Sequence, residues 1–390
     1  MQQNFQATSH FLQPGSETDS PPAVLRELVA PAGVKFNGDA DWDIQIYDTE
    51  TYRRILTHGS LGLGEAYMDG LWECHHLDEL FFRLLSVNVE NNLVGWARIR
   101  LLAEIIRQRL FNLQTTQRSY QVGKQHYDIG NDIFETMLDS TMSYSCGYWL
   151  NTEELEQAQL NKLDMICRKL ELKAGETLLD IGCGWGGLAQ YAAEHYGVEV
   201  TGITISKEQQ KLAQKRCAGL PIKIELMDYR NLQGQFDKVV SVGMFEHVGP
   251  KNYPVYFDCV TRLMKDESLF LLHTIGIDKE SHTVDTWINK YIFPNGKIPS
   301  AKEIATTLND RLLIEDWHNF GQDYDRTLMA WWKNFDNAWP ELKHHYDNRF
   351  YRMWKYYLHC SAGFFRSRQG QLWQIVLSKR ECLQMYRSVR

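Results

Sequence analysis

The stretch Leu178-Leu-Asp-Ile-Gly-Cys-Gly-Trp-Gly-Gly-Leu-Ala189 decides how the rest of the chain is arranged. A short apolar run ends in an acid-containing turn rich in glycine, and a helical pattern follows at once. Glycine permits positive φ and close approach of a ligand, and the free N–H groups of a helix start face whatever lies above such a turn. The stretch therefore predicts a strand, a tight turn and a helix, with Asp180 aimed at a bound ligand.

The glycine turn alone does not identify that ligand, because several nucleotide-binding folds use one. A dinucleotide site usually has an acid about 20 residues further on, which binds a ribose. The corresponding window, Val198-Glu-Val-Thr-Gly-Ile-Thr-Ile-Ser206, has Thr204 and Ser206 at its tip instead of an acid. No lysine of the triphosphate-binding type follows the glycines. The pattern therefore favours S-adenosylmethionine (SAM), bound as in class I methyltransferases, over a dinucleotide or a nucleoside triphosphate.

The composition is that of an ordinary globular protein, with 44% hydrophobic and 23% charged residues. A formal net charge of -7 argues against a general polyanion binder, so we expect no nucleic-acid partner. The eight cysteines form no CxxC pair and have no metal-ligand spacing with histidine, so we expect reduced thiols, a cytoplasmic location and no metal site. The sequence has neither a secretory signal pattern nor an apolar run of about 18 residues that could span a membrane.

Changes in composition along the chain predict four parts. Residues 1–22 are polar and loose, 23–115 form a small and mainly helical domain that we expect to contact lipid or membrane, 116–130 are a linker, and 131–390 are a catalytic domain. Within the first domain we expect a strand at 42–47 and a structured turn region at 61–72, which contains three glycines.

The segment 93–113 is unusually basic for an acidic chain. Glu104 is the only acid between Leu93 and Lys124, whereas the basic residues there are Arg98, Arg100, Arg107, Arg109, Arg118 and Lys124. Bulky apolar residues separate the charges. One interpretation is a helix that lies on an anionic membrane surface, where each basic residue adds about 1 kcal/mol. The other is a core helix with a solvated basic edge.

From residue 177 onward, strand and helix patterns alternate, which predicts a parallel sheet with helices on both faces. The expected strands are 177–181, 198–205, 221–227, 236–243 and 268–275, and a further strand pair is possible at 312–317 and 371–378. Ligands bind at the carboxyl ends of such strands. We therefore expect one cleft to be faced by Asp180, Thr204, Asp228, Glu246 and His273. Aromatic-rich helices at 325–338 and 348–366 either close a lipophilic pocket over it or are simply core.

Four further motifs carry a resemblance to a known family. They are Val122-Gly-Lys-Gln-His-Tyr-Asp-Ile-Gly-Asn131, Tyr144-Ser-Cys-Gly-Tyr-Trp149, Val242-Gly-Met-Phe-Glu-His-Val-Gly249 and His273-Thr-Ile-Gly276. With the glycine turn, they closely resemble the cyclopropane-fatty-acyl-phospholipid synthase family, over residues 25 to 380. The related mycolic acid cyclopropane synthases lack an N-terminal domain of this kind. The resemblance implies a Rossmann-like α/β fold of the class I SAM methyltransferase type, with a smaller helical domain before it.

The resemblance also implies an activity. In this family SAM gives its methyl group to a cis double bond in an acyl chain of a membrane phospholipid, a carbocation forms, and loss of a proton closes a cyclopropane ring. A bound bicarbonate ion accepts that proton. We therefore expect SAM and bicarbonate as cofactors, peripheral association with the inner face of the membrane, and a homodimer.

Site residues follow from the same resemblance. For bicarbonate, Glu246 would accept its O–H, His273 and Tyr324 would donate to its oxygens, and Cys146 and Ile275 would offer backbone N–H groups. Simpler interpretations stay open for three of them: a surface salt bridge for Glu246, a satisfied core imidazole for His273 and a packed ring for Tyr324. Cys360 occupies a position shared by the family, and we interpret it as pocket lining rather than as a nucleophile.

For SAM, the resemblance and the glycine turn together imply a set of contacts on three strand ends and on one segment before the sheet. The methionine end would pass close to Gly182, Gly184 and Gly186, with the Asp180 carboxylate aimed at the same place. Tyr144 and Ser145 match family positions that contact SAM. The ribose side would meet Thr204, Ile205 and Gln209, and the adenine would meet Asp228 and Tyr229.

Two other functions stay open. One is a SAM-dependent methyltransferase that methylates another lipid or sterol alkene, or an amine, without closing a ring. The other is a lipid-binding or membrane-sensing protein that has lost the activity of its methyltransferase fold.

Overall fold

The computed structural model describes residues 20–87, 130–280, 284–383 and 385–390. The polar tail up to residue 19, the basic segment 93–113 and nearly all of the expected linker 116–130 lie outside the described residues. The division of the chain into a domain at 23–115 and one at 131–390 stays a prediction.

A seven-stranded sheet forms the centre of the molecule. Its strands are β3 (Thr177–Ile181), β4 (Glu199–Thr204), β5 (Ile222–Leu226), β6 (Phe236–Val242), β7 (Met264–Ile277), β8 (Leu312–Asn319) and β9 (Gly370–Lys379). They lie in the order β5-β4-β3-β6-β7-β9-β8. Neighbours from β5 to β7 are parallel, whereas β9 runs antiparallel to both β7 and β8. The Rossmann-like α/β sheet predicted from the alternating pattern is confirmed, including the late strand pair.

Helices connect the parallel strands, as right-handed crossovers require. They are α6 (Leu155–Lys169), which precedes β3, α7 (Gly187–Tyr196), α8 (Lys207–Arg216) and α9 (Tyr253–Leu263). Later come α10 (Thr286–Tyr291), α11 (Ala301–Leu308), α12 (Gln322–Leu342) and α13 (Asn348–Arg366). The strands β3 and β6 are buried almost end to end, which is the pattern of a sheet covered on both faces.

The region before the sheet is mainly helical, as expected. It contains α1 (Ala23–Val29), α2 (Glu50–His58), α3 (Ser60–Met68), α4 (Leu77–Ser86) and α5 (Asn131–Met137). Two local predictions were wrong. The expected strand at 42–47 is reduced to β1 (Gln45–Ile46), which pairs with β2 (Trp72–Glu73). The glycine-containing stretch 61–72, expected as a turn region, is mostly the helix α3.

The early helices share one hydrophobic core with the late ones. Phe81 of α4 meets Tyr356 of α13 edge to face at 5.0 Å, and Trp287 of α10 lies 4.5 Å from the same ring. Arg366 of α13 donates to Asp78 of α4 at 2.7 Å. The aromatic-rich helices therefore join the N-terminal helices to the sheet. Among the described helices, none is long and apolar enough to cross a membrane.

Candidate active site

The carboxyl ends of β3 to β6 open into a cavity of about 1230 Å³. Most residues predicted for the site lie on its wall: Tyr144, Ser145, Asp180, Gly182, Gly184, Thr204, Ile205, Gln209, Asp228, Tyr229, Glu246, Ile275, Tyr324 and Cys360. Three predicted site residues, Gly186, Cys146 and His273, do not line it. The fold thus collects side chains from four strand ends, from a segment before the sheet and from the helices between β8 and β9.

The glycine turn between β3 and α7 has positive φ at Gly182, Gly184 and Gly186. A side chain on Gly184 would meet no described atom within 4 Å, so its backbone faces the open cavity. A side chain on Gly186 would meet Cys217 Sγ at 2.9 Å. Gly186 therefore allows α7 to pack against the end of α8, and its contribution to the site is through the shape of the turn.

The tips of β4 and β5 present hydroxyl, amide and carboxylate groups. Thr204 donates to Gln209 Oε1 at 2.8 Å, and Ser206 caps α8 by accepting from the Gln209 N–H. Asp228 accepts from the backbone N–H of Arg230 at 3.0 Å and is almost fully buried. These bonds fix the polar groups at the two strand ends that a ribose and an adenine would meet.

The segment 143–145 reaches the cavity from before the sheet. Tyr144 shares a hydroxyl–hydroxyl hydrogen bond of 2.7 Å with Tyr357 of α13. Beneath the segment, Gln159 donates to the carbonyls of Ser143 and Ser145, and Lys162 donates to their hydroxyls.

Lys162 also lines the cavity, but it was not among the residues predicted from the sequence. A signal was present, since Gln159, Lys162, Ile166 and Lys169 recur at helical spacing and all four are buried. Polar residues on the buried face of an amphipathic helix indicate partners elsewhere in the fold.

Two carboxylates in the cavity are desolvated. Burial raises the pKa of Asp180 to about 7, although the charge of Lys162 lowers it. Burial likewise raises the pKa of Glu246 to about 7, with the backbone N–H of Ile275 opposing the shift. Carboxyl groups with pKa values near neutrality can hold or accept a proton under physiological conditions, which is typical of functional sites.

Glu246 lies in a single 3₁₀ turn, Phe245–His247, directly after β6. Its Oε1 accepts from the Ile275 N–H at 2.7 Å, while its Oε2 is buried and has no partner among the described residues. The surface salt bridge considered for Glu246 is therefore wrong. The Ile275 N–H, expected to face a bound anion, is donated to Glu246 instead.

His273 lies within β7 rather than at its end, because the strand continues to Ile277. Its Nδ1 is 3.3 Å from Nε2 of Gln374, and its own Nε2 is buried with no partner in the described part of the chain. With the Gln374 amide donating to Nδ1, the ring carries its proton on Nε2. Burial lowers the pKa of His273 well below its usual value, so the ring is neutral. It is thus a core imidazole with one unsatisfied donor.

Three further predicted residues differ in exposure to the cavity. Tyr324 lines it, and its ring packs 4.5 Å from Phe365. Cys146 is fully buried beside Thr327, which also accepts from the Gly147 N–H. Cys360 lines the cavity, and burial raises its thiol pKa. A thiol that stays protonated is a weak nucleophile.

The second half of the cavity is apolar. Its walls come from α4, α10 and α13 and include Phe81, Leu84, Leu85, Trp287, Ile288 and Phe364. The cavity exceeds the range of about 300–1,000 Å³ that is usual for small-molecule sites. It therefore has room for a polar ligand at the strand ends and a hydrocarbon chain beside it.

Comparisons with known proteins agree with this arrangement. The family model described as mycolic acid cyclopropane synthetase matches residues 114–375. Cyclopropane-fatty-acyl-phospholipid synthase from Escherichia coli (strain K12) is 55% identical over 356 residues, covering 91% of this chain and 93% of that protein.

Two solved structures have the same fold. The cyclopropane synthase MmaA2 from Mycobacterium tuberculosis aligns with a TM-score of 0.64 and 28% identity, over 69% of this chain and 100% of that one. The mycolic acid cyclopropane synthase CmaA1, complexed with SAH and CTAB, aligns with a TM-score of 0.62 and 30% identity, over 67% and 98%.

Proposed function

We propose that this chain, which belongs to the mycolic acid cyclopropane synthetase family and is a SAM-dependent methyltransferase, forms cyclopropane rings in membrane phospholipid. The ring forms at the cis double bond of an unsaturated acyl chain. The main support for the proposal is that one cavity has both a polar wall and an apolar wall. Polar strand ends suited to SAM continue into an apolar space suited to a hydrocarbon chain.

The residues at the strand ends fit SAM. Bound there, SAM supplies an activated methyl group on a cationic sulfur. Asp180 offers a carboxylate to the cationic methionine end, and Gly184 leaves its backbone open to the cavity. Thr204 and Gln209 present a hydroxyl and an amide where a ribose has oxygens to bind, and Asp228 and Tyr229 form the far wall. Thr204 and Gln209 would thus bind the ribose in place of the carboxylate that a dinucleotide site has at this strand end.

The apolar half of the cavity fits an acyl chain. Phe81 and Leu84 come from α4, and Phe364 comes from α13, so the wall is built by elements far apart in the sequence. These side chains give the space beside the strand ends an apolar wall. A dry, apolar surrounding is what a reaction through a carbocation needs, because water would trap the cation. The wall also supports the proposed lipid-contacting role of the N-terminal region.

Two buried polar atoms without hydrogen-bond partners match the hydrogen-bonding groups of bicarbonate. It presents one O–H donor and several accepting oxygens, and when bound it supplies a proton acceptor that is not part of a flexible side chain. Glu246 Oε2 is an unpaired buried acceptor, and His273 Nε2 is an unpaired buried donor. The two residues follow or lie in the adjacent strands β6 and β7. Glu246 would accept the O–H, and His273 and Tyr324 would donate. Glu246 and Tyr324, which line the cavity, therefore fit the ion, whereas His273 does not line it and offers only its unpaired Nε2.

We extend the proposal to the membrane. A phospholipid substrate lies in a bilayer, so the chain has to meet the membrane surface on its cytoplasmic side. The basic segment 93–113 has the composition for such contact. The homodimer expected from the resemblance is likewise a prediction.

The experiment that tests the proposed function uses vesicles of two phospholipids with the same headgroup, one with cis-unsaturated acyl chains and one with saturated chains. The full chain is incubated with SAM labelled in its methyl group. We expect label in the acyl chains of the unsaturated lipid only. Label in the headgroup, or equal label in both lipids, would contradict the proposal.

A further inference from the structure

Lys162 is a buried lysine beneath the cofactor half of the cavity. Only 2% of its surface is exposed. Its ammonium donates to the hydroxyls of Ser143 and Ser145, each at 3.1 Å. A buried charge is costly unless it is paired and hydrogen-bonded. The surrounding residues must therefore stabilise this buried ammonium.

The hydroxyl pair ties Lys162 to the segment that carries Tyr144. Gln159, one helical turn earlier on α6, donates to the carbonyl of Ser145 at 2.8 Å. Thr141 and Ser143 share a hydroxyl hydrogen bond of 2.8 Å, and the Thr141 N–H donates to Asp139. The face of α6 thus holds residues 139–145 from below, while Tyr144 reaches Tyr357 across the cavity.

Several ionisable groups face Lys162 from the elements packed around it. They are Asp139 before the segment, Asp180 at the end of β3, the thiols of Cys146 and Cys167, and the imidazole of His273. The thiols of Cys183 and Cys217 are the other ionisable groups that Asp180 influences. The thiols stay protonated because burial raises their pKa values, and His273 stays neutral. The charges that matter are therefore those of Lys162, Asp139 and Asp180.

The three charges suit a cationic ligand. With all three groups ionised they sum to one negative charge, whereas SAM carries a sulfonium, an ammonium and a carboxylate and has one net positive charge. Removing Lys162 takes away the charge that lowers the pKa values of both buried carboxylates. Like charges that share a site raise the pKa of one of the groups, and Asp180 is already at about 7 with Lys162 present.

We propose that Lys162 is a positioning residue for SAM: it holds the Tyr144–Ser145 segment through the two serine hydroxyls and places a cation on the same cavity wall as the Asp180 carboxylate. This inference rests on the proposed function, because it takes SAM to bind above the glycine turn. It assigns a role to a residue outside the glycine turn and outside the strand ends.

The test is SAM affinity as a function of pH, measured without lipid on the full chain. Equilibrium dialysis with labelled SAM is run between about pH 6 and pH 9, a range that spans the pKa of Asp180. The variants are K162M, which removes the charge, and K162R, which keeps it. K169M is the matched control, because Lys169 is also buried on α6 but pairs with Asp316 at 3.4 Å.

In the wild type we expect affinity to rise with pH as Asp180 ionises and to level off near pH 8, because burial lowers the pKa of Lys162 to about 8 and its charge is lost above that pH. In K162M the rise should move upward by at least about one pH unit, so that affinity near pH 7 falls about tenfold and recovers at higher pH. K162R should keep the wild-type profile, and K169M should keep it even if it is less stable.

A fall in K162M affinity by the same factor at every pH would mean a purely structural role and would overturn the inference, as would an unchanged profile. If K162M does not fold, K162Q makes the same comparison, since it keeps a donor for the serines and lacks the charge. A wild-type chain that fails to bind SAM at any pH overturns the proposed function itself, which separates the two failures.

Discussion

Glu246 accepts the backbone N–H of Ile275 through Oε1 at 2.7 Å and leaves Oε2 buried without a partner among the described residues. The bond fixes the carboxylate across the ends of β6 and β7. One oxygen is thus held by the fold and the other is available to a ligand. Within this one side chain, Oε1 therefore fixes the position of the carboxylate and Oε2 can bind a ligand.

Replacing Glu246 with glutamine keeps the shape of the side chain and its carbonyl acceptor for Ile275, but removes the charged acceptor. We expect turnover to fall by about 10²–10⁴, the usual contribution of a positioned acid or base, while SAM affinity changes less than about twofold. E267Q is a matched control, because Glu267 is an exposed carboxylate on β7. Unchanged turnover in E246Q would remove Glu246 from the reaction.

Removing bicarbonate should lower turnover. We expect activity in degassed buffer, free of dissolved carbon dioxide, to fall and to return as bicarbonate is added. In His273→Phe, which removes the imidazole donor, the bicarbonate concentration for half-maximal activity should rise several-fold, since one charge-assisted hydrogen bond is lost. A bicarbonate titration on both proteins measures this. Full activity without bicarbonate would end the assignment of the anion.

Ionisation of the buried Glu246 carboxyl group should lower the free energy of unfolding as pH rises. Its pKa is about 7 in the folded chain, against 4.5 for an ordinary glutamate. Between these values the folded state holds a proton that the unfolded state has lost, so stability decreases from about pH 4.5 to about pH 7. The full shift corresponds to at most about 3 kcal/mol.

The E246Q variant has no such titration. Its free energy of unfolding, measured in urea, should therefore exceed that of the wild type by more at pH 8 than at pH 5, on a scale set by the same linkage. An equal difference at both pH values would show that Glu246 is ionised throughout.

Gly363 allows α13 to pack directly on α4. A side chain there would meet Phe81 Cβ and the Phe82 backbone nitrogen, each at 2.7 Å. Backbone atoms cannot give way as a flexible side chain can. Although alanine favours a helix by about 1 kcal/mol over glycine, we expect G363A to lower the free energy of unfolding by about 1–3 kcal/mol. Thermal unfolding measures this, and a gain in stability would show that the two helices separate easily.

Reversing the charges of Arg98, Arg107 and Arg109 should weaken binding to anionic vesicles, because each basic residue near the surface adds about 1 kcal/mol. The remaining binding should depend less on salt. The matched control reverses Lys207, Lys211 and Lys215, which are exposed on α8 and carry the same total charge. Vesicle sedimentation compares the two. Equal binding by both variants would favour the alternative of a core helix with a solvated edge.

Local patterns were enough to predict the sheet and four of its strand ends. Hydrophobic runs, glycines and helical repeats alternate regularly after residue 177, and carboxyl ends of parallel strands share one edge. That is why Asp180, Thr204, Asp228 and Glu246 could be placed together. His273 could not, because β7 extends to Ile277 by pairing with β9, whose residues lie about a hundred positions later.

Other features depend on contacts that no local pattern contains. The stretch 61–72 has turn-like composition, yet Gly62 and Gly64 are there to let α3 approach the Arg54 backbone and the Trp287 ring. Lys162 has the charge of a surface residue, and only its tertiary partners Ser143 and Ser145 make its burial tolerable. The apolar half of the cavity likewise joins α4 to α13, which are far apart in the sequence.

The central claim is that the cavity brings an activated methyl group to an olefin and closes a ring. The most direct measurement is mass spectrometry of phospholipid acyl chains after incubation with SAM carrying a trideuterated methyl group. Ring formation adds one carbon and keeps two of its deuterium atoms, because one is lost as the ring closes. Retention of all three deuterium atoms would show methylation without ring closure and would contradict the account.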